Sequence, residues 1–166
     1  MKKALLVIAF VLAAVTSTNA QVMNQIEDRL ALRNLVDTFS VLADYKNTDE
    51  QQLLFTEDAE MISMENGKVV SDLKGRKQIG DACAQYLSLF SAVYHLNGQQ
   101  TLTVNGDEAS GISYCFVTLI GKDQTGRLMN NQSGVRYRDE YVKQNGRWLI
   151  KKRVSDFMWR TANEVK

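Results

Sequence analysis

The sequence is poor in the residues that build metal sites. Its 166 residues include one histidine, His95, and two cysteines, Cys83 and Cys115. The cysteine spacing fits no zinc motif, and a single histidine cannot complete a classical metal site. We therefore expect neither a metal nor a cofactor.

Whether the two cysteines are bridged is open from the sequence. An oxidising compartment would permit one disulfide. Both residues lie in apolar segments, however, and a domain of this size does not need a covalent cross-link. This favours two buried free thiols at Cys83 and Cys115.

The sequence also lacks an excess of charge of either sign. Lysine and arginine number 20, aspartate and glutamate number 19, and no long run of one sign occurs. Domains that bind nucleic acid or anionic membranes usually carry a basic patch or stripe. The composition therefore indicates a small molecule or another protein as partner, and no nucleic acid.

The apolar run over residues 4–15 is too short to span a bilayer. It has 12 residues, whereas a membrane-spanning helix needs roughly 20. Lys2 and Lys3 precede it and Thr18-Asn19-Ala20 follows it, which is the order of a secretory signal peptide. We predict that residues 1–20 are cleaved before Gln21 and that the protein is exported, periplasmic or extracellular, without stable membrane insertion. The alternative is a buried N-terminal helix.

Residues 21–166 have the length of one domain, and helices are predicted in its first part. Apolar residues recur every three or four positions over residues 26–44, which predicts the longest helix. A short helix is predicted over residues 49–55, with Asn47 or Thr48 as its cap. A third helix is predicted over residues 75–90.

Strand patterns dominate the second part of the chain. The predicted strands are residues 59–64, 68–73, 94–104, 109–120, 134–143 and 147–159. The pairs Asn66-Gly67 and Asn145-Gly146 favour tight hairpin turns. For residues 121–133 the sequence leaves two alternatives open, an ordered lid and a mobile loop. Helices followed by strands predict an α+β fold in which the helices cover one face of the sheet.

Short strings spread over residues 21–166 carry a family resemblance. They are Ala43-Asp44, Leu54-Phe55-Thr56-Glu57-Asp58-Ala59, Gly75-Arg76, Tyr94-His95-Leu96, Val104-Asn105-Gly106-Asp107-Glu108-Ala109, Tyr137-Arg138-Asp139-Glu140-Tyr141 and Asn145-Gly146-Arg147-Trp148. In order and spacing they resemble the SnoaL-like branch of the nuclear transport factor 2-like superfamily. The resemblance implies an α+β cone-shaped barrel, a curved antiparallel or mixed sheet whose concave face is covered by three N-terminal helices. It also implies a small apolar or aromatic ligand in the cone and a homodimer.

The resemblance implies a candidate catalytic pair, Asp44 and His95. They fall where the dehydratase-like members, including scytalone dehydratase, bring an aspartate and a histidine together inside the cone. A histidine can take or give a proton near neutral pH, and a carboxylate bonded to its other nitrogen fixes its tautomer. Without the resemblance, the same residues would be a helix-end aspartate and a structural histidine.

Four further residues are candidates for substrate binding: Tyr45, Tyr94, Tyr137 and Arg153. Tyr45 and Tyr94 are chain neighbours of the pair. Tyr137 shares a strand face with Val135, Asp139 and Tyr141 by simple alternation, and it is either a pocket residue or core filling. Arg153 is either a positive charge at the pocket rim or a solvated strand residue. The first helix has Phe39 and Ala43 where some dehydratases have a tyrosine acid.

The leading hypothesis is an exported small-molecule-binding protein that acts as a cofactor-free lyase or isomerase, with His95 as base and Asp44 as its orienting partner. The rival hypothesis is a non-catalytic module that binds a ligand or another protein with the same fold, since superfamily members include dehydratases, isomerases and pure binding modules. A toxin-immunity or envelope-assembly partner is a third option.

Overall fold

The computed structural model describes the backbone of residues 2–165 and the side chains of residues 22–165. Two helices precede the first strand, and a third lies between the second and third strands. The six strands form one sheet. The elements are α1 (Lys2–Asp44), α2 (Thr48–Gln52), β1 (Phe55–Glu65), β2 (Lys68–Lys74), α3 (Arg76–Leu87), β3 (Phe90–Asn105), β4 (Glu108–Lys122), β5 (Leu128–Gln144) and β6 (Arg147–Glu164). The predicted signal peptide, residues 1–20, lies outside the described side chains. Within the described part of the chain, no helix has the length and apolar character needed to cross a membrane.

The helices form largely where the sequence predicts them. The buried face of α1 consists of Leu32, Leu35, Val36, Phe39 and Ala43, which are spaced by one, three or four residues as a single helix face requires. Asn47 caps α2, because its side chain accepts a hydrogen bond from the Glu50 amide. Gly75 precedes α3 with a φ of 85°, a conformation that favours glycine.

The sheet has the order β2-β1-β6-β5-β4-β3. All neighbouring strands are antiparallel except β1 and β6, which are parallel. The Asn66-Gly67 and Asn145-Gly146 turns have positive φ at both residues, as two-residue hairpins require. The α+β prediction with a mixed sheet is confirmed. The sheet is open, with β2 and β3 as its edges, so the cone is not a closed barrel.

Residues 121–133 form the ends of two paired strands and the turn between them. β4 continues to Lys122 and β5 begins at Leu128. The turn between them is closed by Asp123, whose Oδ1 accepts hydrogen bonds from the amides of Thr125 at 2.8 Å and Arg127 at 3.0 Å. Side-chain hydrogen bonds of this kind stabilise turns that have no apolar pattern.

The core consists of two clusters between the helices and the inner face of the sheet. The first includes Phe39, Phe55, Tyr141 and Trp148 below α1. The second lies on β3, β4 and β5 and includes Val93, Cys115, Val117, Val135 and Tyr137. Both cysteines are free thiols, as the sequence favoured.

Candidate functional site

A cavity of about 340 Å³ opens beside the second core cluster. Its wall is largely apolar and includes Phe39, Leu73, Leu87, Val117, Leu119 and Phe157. Polar side chains also line it, among them Gln51, His95, Ser133, Tyr137, Ser155 and Arg160. An apolar concave site with a few placed polar groups is the usual form of a small-molecule site.

Asp44 and His95 meet at this cavity. Asp44 is the last residue of α1, and His95 lies near the start of β3 with its side chain on the inner face. Asp44 Oδ1 lies 2.7 Å from His95 Nδ1, and Asp44 Oδ2 accepts a 3.3 Å hydrogen bond from the His95 amide. The two contacts fix both the ring and the backbone of His95 relative to the helix end.

The imidazole of His95 belongs to the wall of the cavity. Because Nδ1 is engaged by a carboxylate, the neutral ring carries its proton on Nδ1 and leaves Nε2 as an acceptor. Among the described residues, Nε2 has no hydrogen-bond partner. The His95 side chain is only 8% exposed, and this burial lowers the pKa of His95, an effect that Asp44 partly opposes. The ring is therefore neutral at pH 7 and able to accept a proton.

Arg153 lies behind the cavity wall and not at its rim. Its side chain is completely buried, and Nε and Nη2 donate hydrogen bonds of 2.8 and 2.7 Å to the two carboxylate oxygens of Asp139. The guanidinium carbon lies 4.2 and 4.3 Å from the ring centroids of Phe39 and Tyr137, two rings that pack edge to face. Both rings line the cavity.

The location of Arg153 corrects both interpretations from the sequence, the rim residue and the solvated one. It pairs in register with Asp139 on β5, so the two side chains share the inner face. Among the residues whose side chains are described, none forms a hydrogen bond with its Nη1. Arg153 can act on a ligand through its charge or through the two rings, and its charge also lowers the pKa of His95.

Tyr137 lines the cavity, as the alternation of β5 indicated. Its burial raises the pKa of Tyr137 well above the usual range, so the phenol remains protonated. A buried protonated phenol is a hydrogen-bond donor in the cavity that His95 also lines. It could take the role of the tyrosine acid that is missing from α1.

Tyr45 and Tyr94 do not line the cavity. Tyr45 lies in the turn just after α1, where its side chain is 82% exposed. Tyr94 is 57% exposed on the outer face of β3, because Val93 and His95 on either side of it point inward. Both tyrosines were candidates because they are chain neighbours of Asp44 and His95. Strand alternation directs Tyr94 away from the cavity.

Several polar residues at the site had no signal in the sequence. Gln51 is buried, and its Nε2 donates a 2.9 Å hydrogen bond to the Phe39 carbonyl. Ser133 and Ser155 line the cavity from β5 and β6. Asp139 could have been recognised as a buried carboxylate, since it shares a face with Tyr137 and Tyr141. Within the described residues, no group of three or more histidine, cysteine or acidic side chains is placed to hold a metal ion.

Comparisons with known proteins agree with this geometry. The SnoaL-like domain family matches residues 24–154. An uncharacterized protein of Mycobacterium tuberculosis is 27% identical over 131 residues, which cover 78% of this chain and 85% of that protein. A candidate scytalone dehydratase of Novosphingobium aromaticivorans has a TM-score of 0.70 at 22% identity, over 86% of this chain and 91% of that one.

A second solved structure extends the likeness in fold. A hexachlorocyclohexane dehydrochlorinase of Novosphingobium barchaimii has a TM-score of 0.69 at 18% identity, over 85% of this chain and 93% of that one. The resemblance seen in the sequence is thus confirmed for most of residues 21–166. This chain belongs to the SnoaL-like domain family.

Proposed function

We propose that the protein binds a small, largely apolar molecule in the cavity and acts on it as a cofactor-independent lyase or isomerase. The observation that carries the proposal is the 2.7 Å contact between Asp44 and Nδ1 of His95, a residue that lines the cavity and whose Nε2 is left as the acceptor. A base that is oriented by a carboxylate and kept neutral by burial has the properties that proton abstraction requires.

The proposed reaction is a β-elimination. His95 Nε2 takes a proton from a carbon next to a carbonyl group, and the electron pair of that C–H bond forms the new double bond as the leaving group departs from the neighbouring carbon. Asp44 stabilises the imidazolium that results. The proton then passes from His95, or from Tyr137, to the leaving hydroxyl, which departs as water. A deprotonated Tyr137 would recover its proton from His95, so the enzyme returns to its initial state.

The names of two structural neighbours favour elimination over isomerisation. A dehydratase removes water and a dehydrochlorinase removes hydrogen chloride, and each elimination takes a proton together with a leaving group. The largely apolar wall of this cavity suits an alicyclic or aromatic substrate. A reaction of this kind needs no cofactor, in line with the expectation from the sequence.

The test is a screen of alicyclic and aromatic β-hydroxy ketones for elimination products, with His95→Gln and Asp44→Asn as variants. We expect His95→Gln to lower the rate at least about 100-fold, the usual contribution of a general base. Tyr94→Phe, on the outer face, is the control and should retain full activity. An elimination rate that is unchanged in His95→Gln would contradict the proposal.

A non-catalytic ligand-binding module is the second candidate. The apolar cavity wall favours it, because binding alone needs no base. It predicts that the wild-type protein binds apolar molecules and releases them chemically unchanged. The same screen separates the two candidates when the bound compounds are recovered and identified by mass spectrometry.

We also propose that the chain is exported with removal of residues 1–20. The charged, apolar and small-residue order of that segment supports this. Expression of the full chain in a bacterial host, followed by mass spectrometry of the periplasmic and medium fractions, tests it. The expected mature N-terminus is Gln21, and a full-length protein confined to the cytoplasm would contradict export.

A homodimer is proposed for the assembly. The outer face of the sheet exposes Tyr94, Leu96, Tyr114 and Trp159 on neighbouring strands, and apolar faces of this kind often mark contacts between copies. Light scattering after size exclusion should give twice the chain mass. Tyr114→Arg should give a monomer, whereas Leu89→Arg, exposed elsewhere, should not. A monomeric wild-type protein would contradict the dimer.

A further inference from the structure

A β-bulge in the last strand changes which residues face the cavity. Val135 pairs with Phe157, and Gly134, the residue before Val135 in β5, pairs with Trp159. Met158, between Phe157 and Trp159, therefore has no partner on β5. One unpaired residue reverses the alternation of a strand beyond it. Arg153, Ser155 and Phe157 lie on the inner face before the bulge, and even-numbered residues take that face after it.

Two contacts agree with this reversal. Trp159 lies on the outer face, where its ring centroid is 5.8 Å from that of Phe116 and its indole occupies the space over Gly134. A Cβ atom at Gly134 would lie 2.2 Å from Trp159 Nε1. Arg160 pairs with Ser133, which is buried on the inner face, and both residues line the cavity.

Arg160 ends a row of paired residues that begins at the candidate base. His95 pairs with Val117 on β4, Val117 with Ser133 on β5, and Ser133 with Arg160 on β6. All four line the cavity. Three strand spacings of roughly 4.8 Å separate the backbones of the two ends by about 14 Å, and the curvature of the sheet shortens this distance on the inner side.

Arg160 is the only formally charged side chain among the described residues that line the cavity, since His95 is neutral. Its Nε lies 3.2 Å from Glu65 Oε1, and its guanidinium lies 3.9 Å from the ring centroid of Phe157, another wall residue. The side chain is 39% exposed, so it stands at the solvent end of the cavity. Among the described residues, its two terminal nitrogens have no hydrogen-bond partner.

We infer that the ligand of this cavity is an amphipathic monoanion. Its apolar body lies along the row from His95, and its carboxylate or similar oxyanion binds the guanidinium of Arg160. The planar fork of an arginine matches such a group with two parallel hydrogen bonds. Glu65 contacts Arg160 at Nε and the ring of Phe157 lies against the guanidinium, which leaves the two terminal nitrogens for the ligand. The inference rests on the proposed function, in which the cavity is the ligand site.

Two fluorescent probes with one ring framework test the inference. 1-Anilinonaphthalene-8-sulfonate carries an oxyanion, and N-phenyl-1-naphthylamine is the same molecule without the sulfonate. The ring signal of His95 in NMR spectra, from the one histidine of the chain, reports whether each probe enters the cavity. Arg160→Gln is the test variant, and Arg147→Gln is the control, an exposed arginine at the other end of β6.

We expect the wild-type protein to bind the sulfonate more tightly than the neutral probe, with both shifting the His95 signal. Arg160→Gln should weaken sulfonate binding roughly tenfold or more, the loss expected for hydrogen bonds to a charged group, and should change neutral binding less than about twofold. Glu65→Gln should strengthen sulfonate binding, because a competing carboxylate is removed. Arg147→Gln should leave both affinities unchanged.

Other results would overturn the inference. If the neutral probe shifts the His95 signal but Arg160→Gln leaves sulfonate binding intact, or weakens both probes equally, the cavity is a ligand site and Arg160 does not select an anion. If neither probe shifts the His95 signal, the ligand site itself is contradicted, and the inference is contradicted with it.

Discussion

Arg153 and Asp139 form an ion pair whose two side chains are both completely removed from solvent. The pair is bidentate, with distances of 2.8 and 2.7 Å, and the Tyr141 hydroxyl donates a further 2.8 Å hydrogen bond to Asp139. Close pairing and further hydrogen bonds offset the cost of taking two charges out of water, and removal of one partner leaves an uncompensated buried charge. The inner face of the sheet therefore depends on this contact.

Asp139→Asn should destabilise the protein strongly. The substitution leaves the positive charge of Arg153 buried without a counter-charge, a change that costs about 3–5 kcal/mol in free energy of unfolding. Urea denaturation followed by circular dichroism measures it. Asp81→Asn is the control, because Asp81 pairs with Lys77 at the surface and an exposed pair contributes at most about 1 kcal/mol. Equal losses in the two variants would contradict the assigned role of Asp139.

The pKa of His95 should fall further when Asp44 is neutralised. Burial lowers the pKa of His95 below its usual 6.5, while the hydrogen bond and the charge of Asp44 raise it. Asp44→Asn removes the charge, leaves at most a hydrogen bond from Nδ1 to a neutral amide oxygen, and does not change the burial. The titration of the His95 ring signal by NMR measures the change directly.

Asp37→Asn is the matched control for the His95 titration. Asp37 lies on the same helix and its carboxylate contacts Arg33 and Asn97. It should leave the pKa of His95 close to the wild-type value. The coupling of Asp44 and His95 would be contradicted by a wild-type His95 pKa above 6.5, or by a His95 pKa that does not change in Asp44→Asn.

The free energy of unfolding should decrease as the pH falls through 6.5. In this range the unfolded chain takes up a proton at His95, whereas the folded protein does not, because its pKa is lowered. Stability is therefore complete above pH 6.5, declines below it, and levels off once the pH is below the folded pKa. The lowered carboxylate pKa values, as at Asp28 and Asp156, act in a separate range below about pH 4.

Urea unfolding of the wild-type protein and His95→Gln at pH 8, 7, 6 and 5 tests this dependence. The wild-type protein should lose stability over the range, and the variant should show a flatter profile. Parallel profiles would show that another group is responsible for the pH dependence.

Local patterns predicted most of the fold because they act over a few residues. The Asn66-Gly67 and Asn145-Gly146 turns adopt positive φ as their sequence requires, and residues 26–44 are helical. The apolar spacing predicted a longer buried face for α1 than the structure has. Ile26 and Leu30 are exposed, and the buried face begins at Leu32. Residues 121–133 show no apolar periodicity, because hydrogen bonds to the side chain of Asp123 stabilise their turn.

The site was predictable only where it follows strand alternation or the family resemblance. Asp44 and His95 meet as the resemblance implies, and Tyr137 follows the alternation of β5. Arg153 was misjudged, because the charged run of residues 151–153 suggests solvent although its partner Asp139 lies on a buried face. No sequence pattern marks the bulge at Met158, so the inward turn of Arg160 required the register of the sheet.

The thiols of Cys83 and Cys115 should be nearly unreactive in the folded protein. Burial raises the pKa of the Cys83 thiol to about 11 and that of Cys115 to about 12. At pH 8 only about one Cys83 side chain in a thousand is then a thiolate, the form that attacks disulfide reagents.

Ellman's reagent should release little colour from the native protein and two equivalents in urea, because both thiols are free. Cys83→Ala should reduce the slow native reaction more than Cys115→Ala, since Cys83 lines the cavity and has the lower pKa. Fewer than two equivalents in urea would indicate a disulfide and contradict the free thiols.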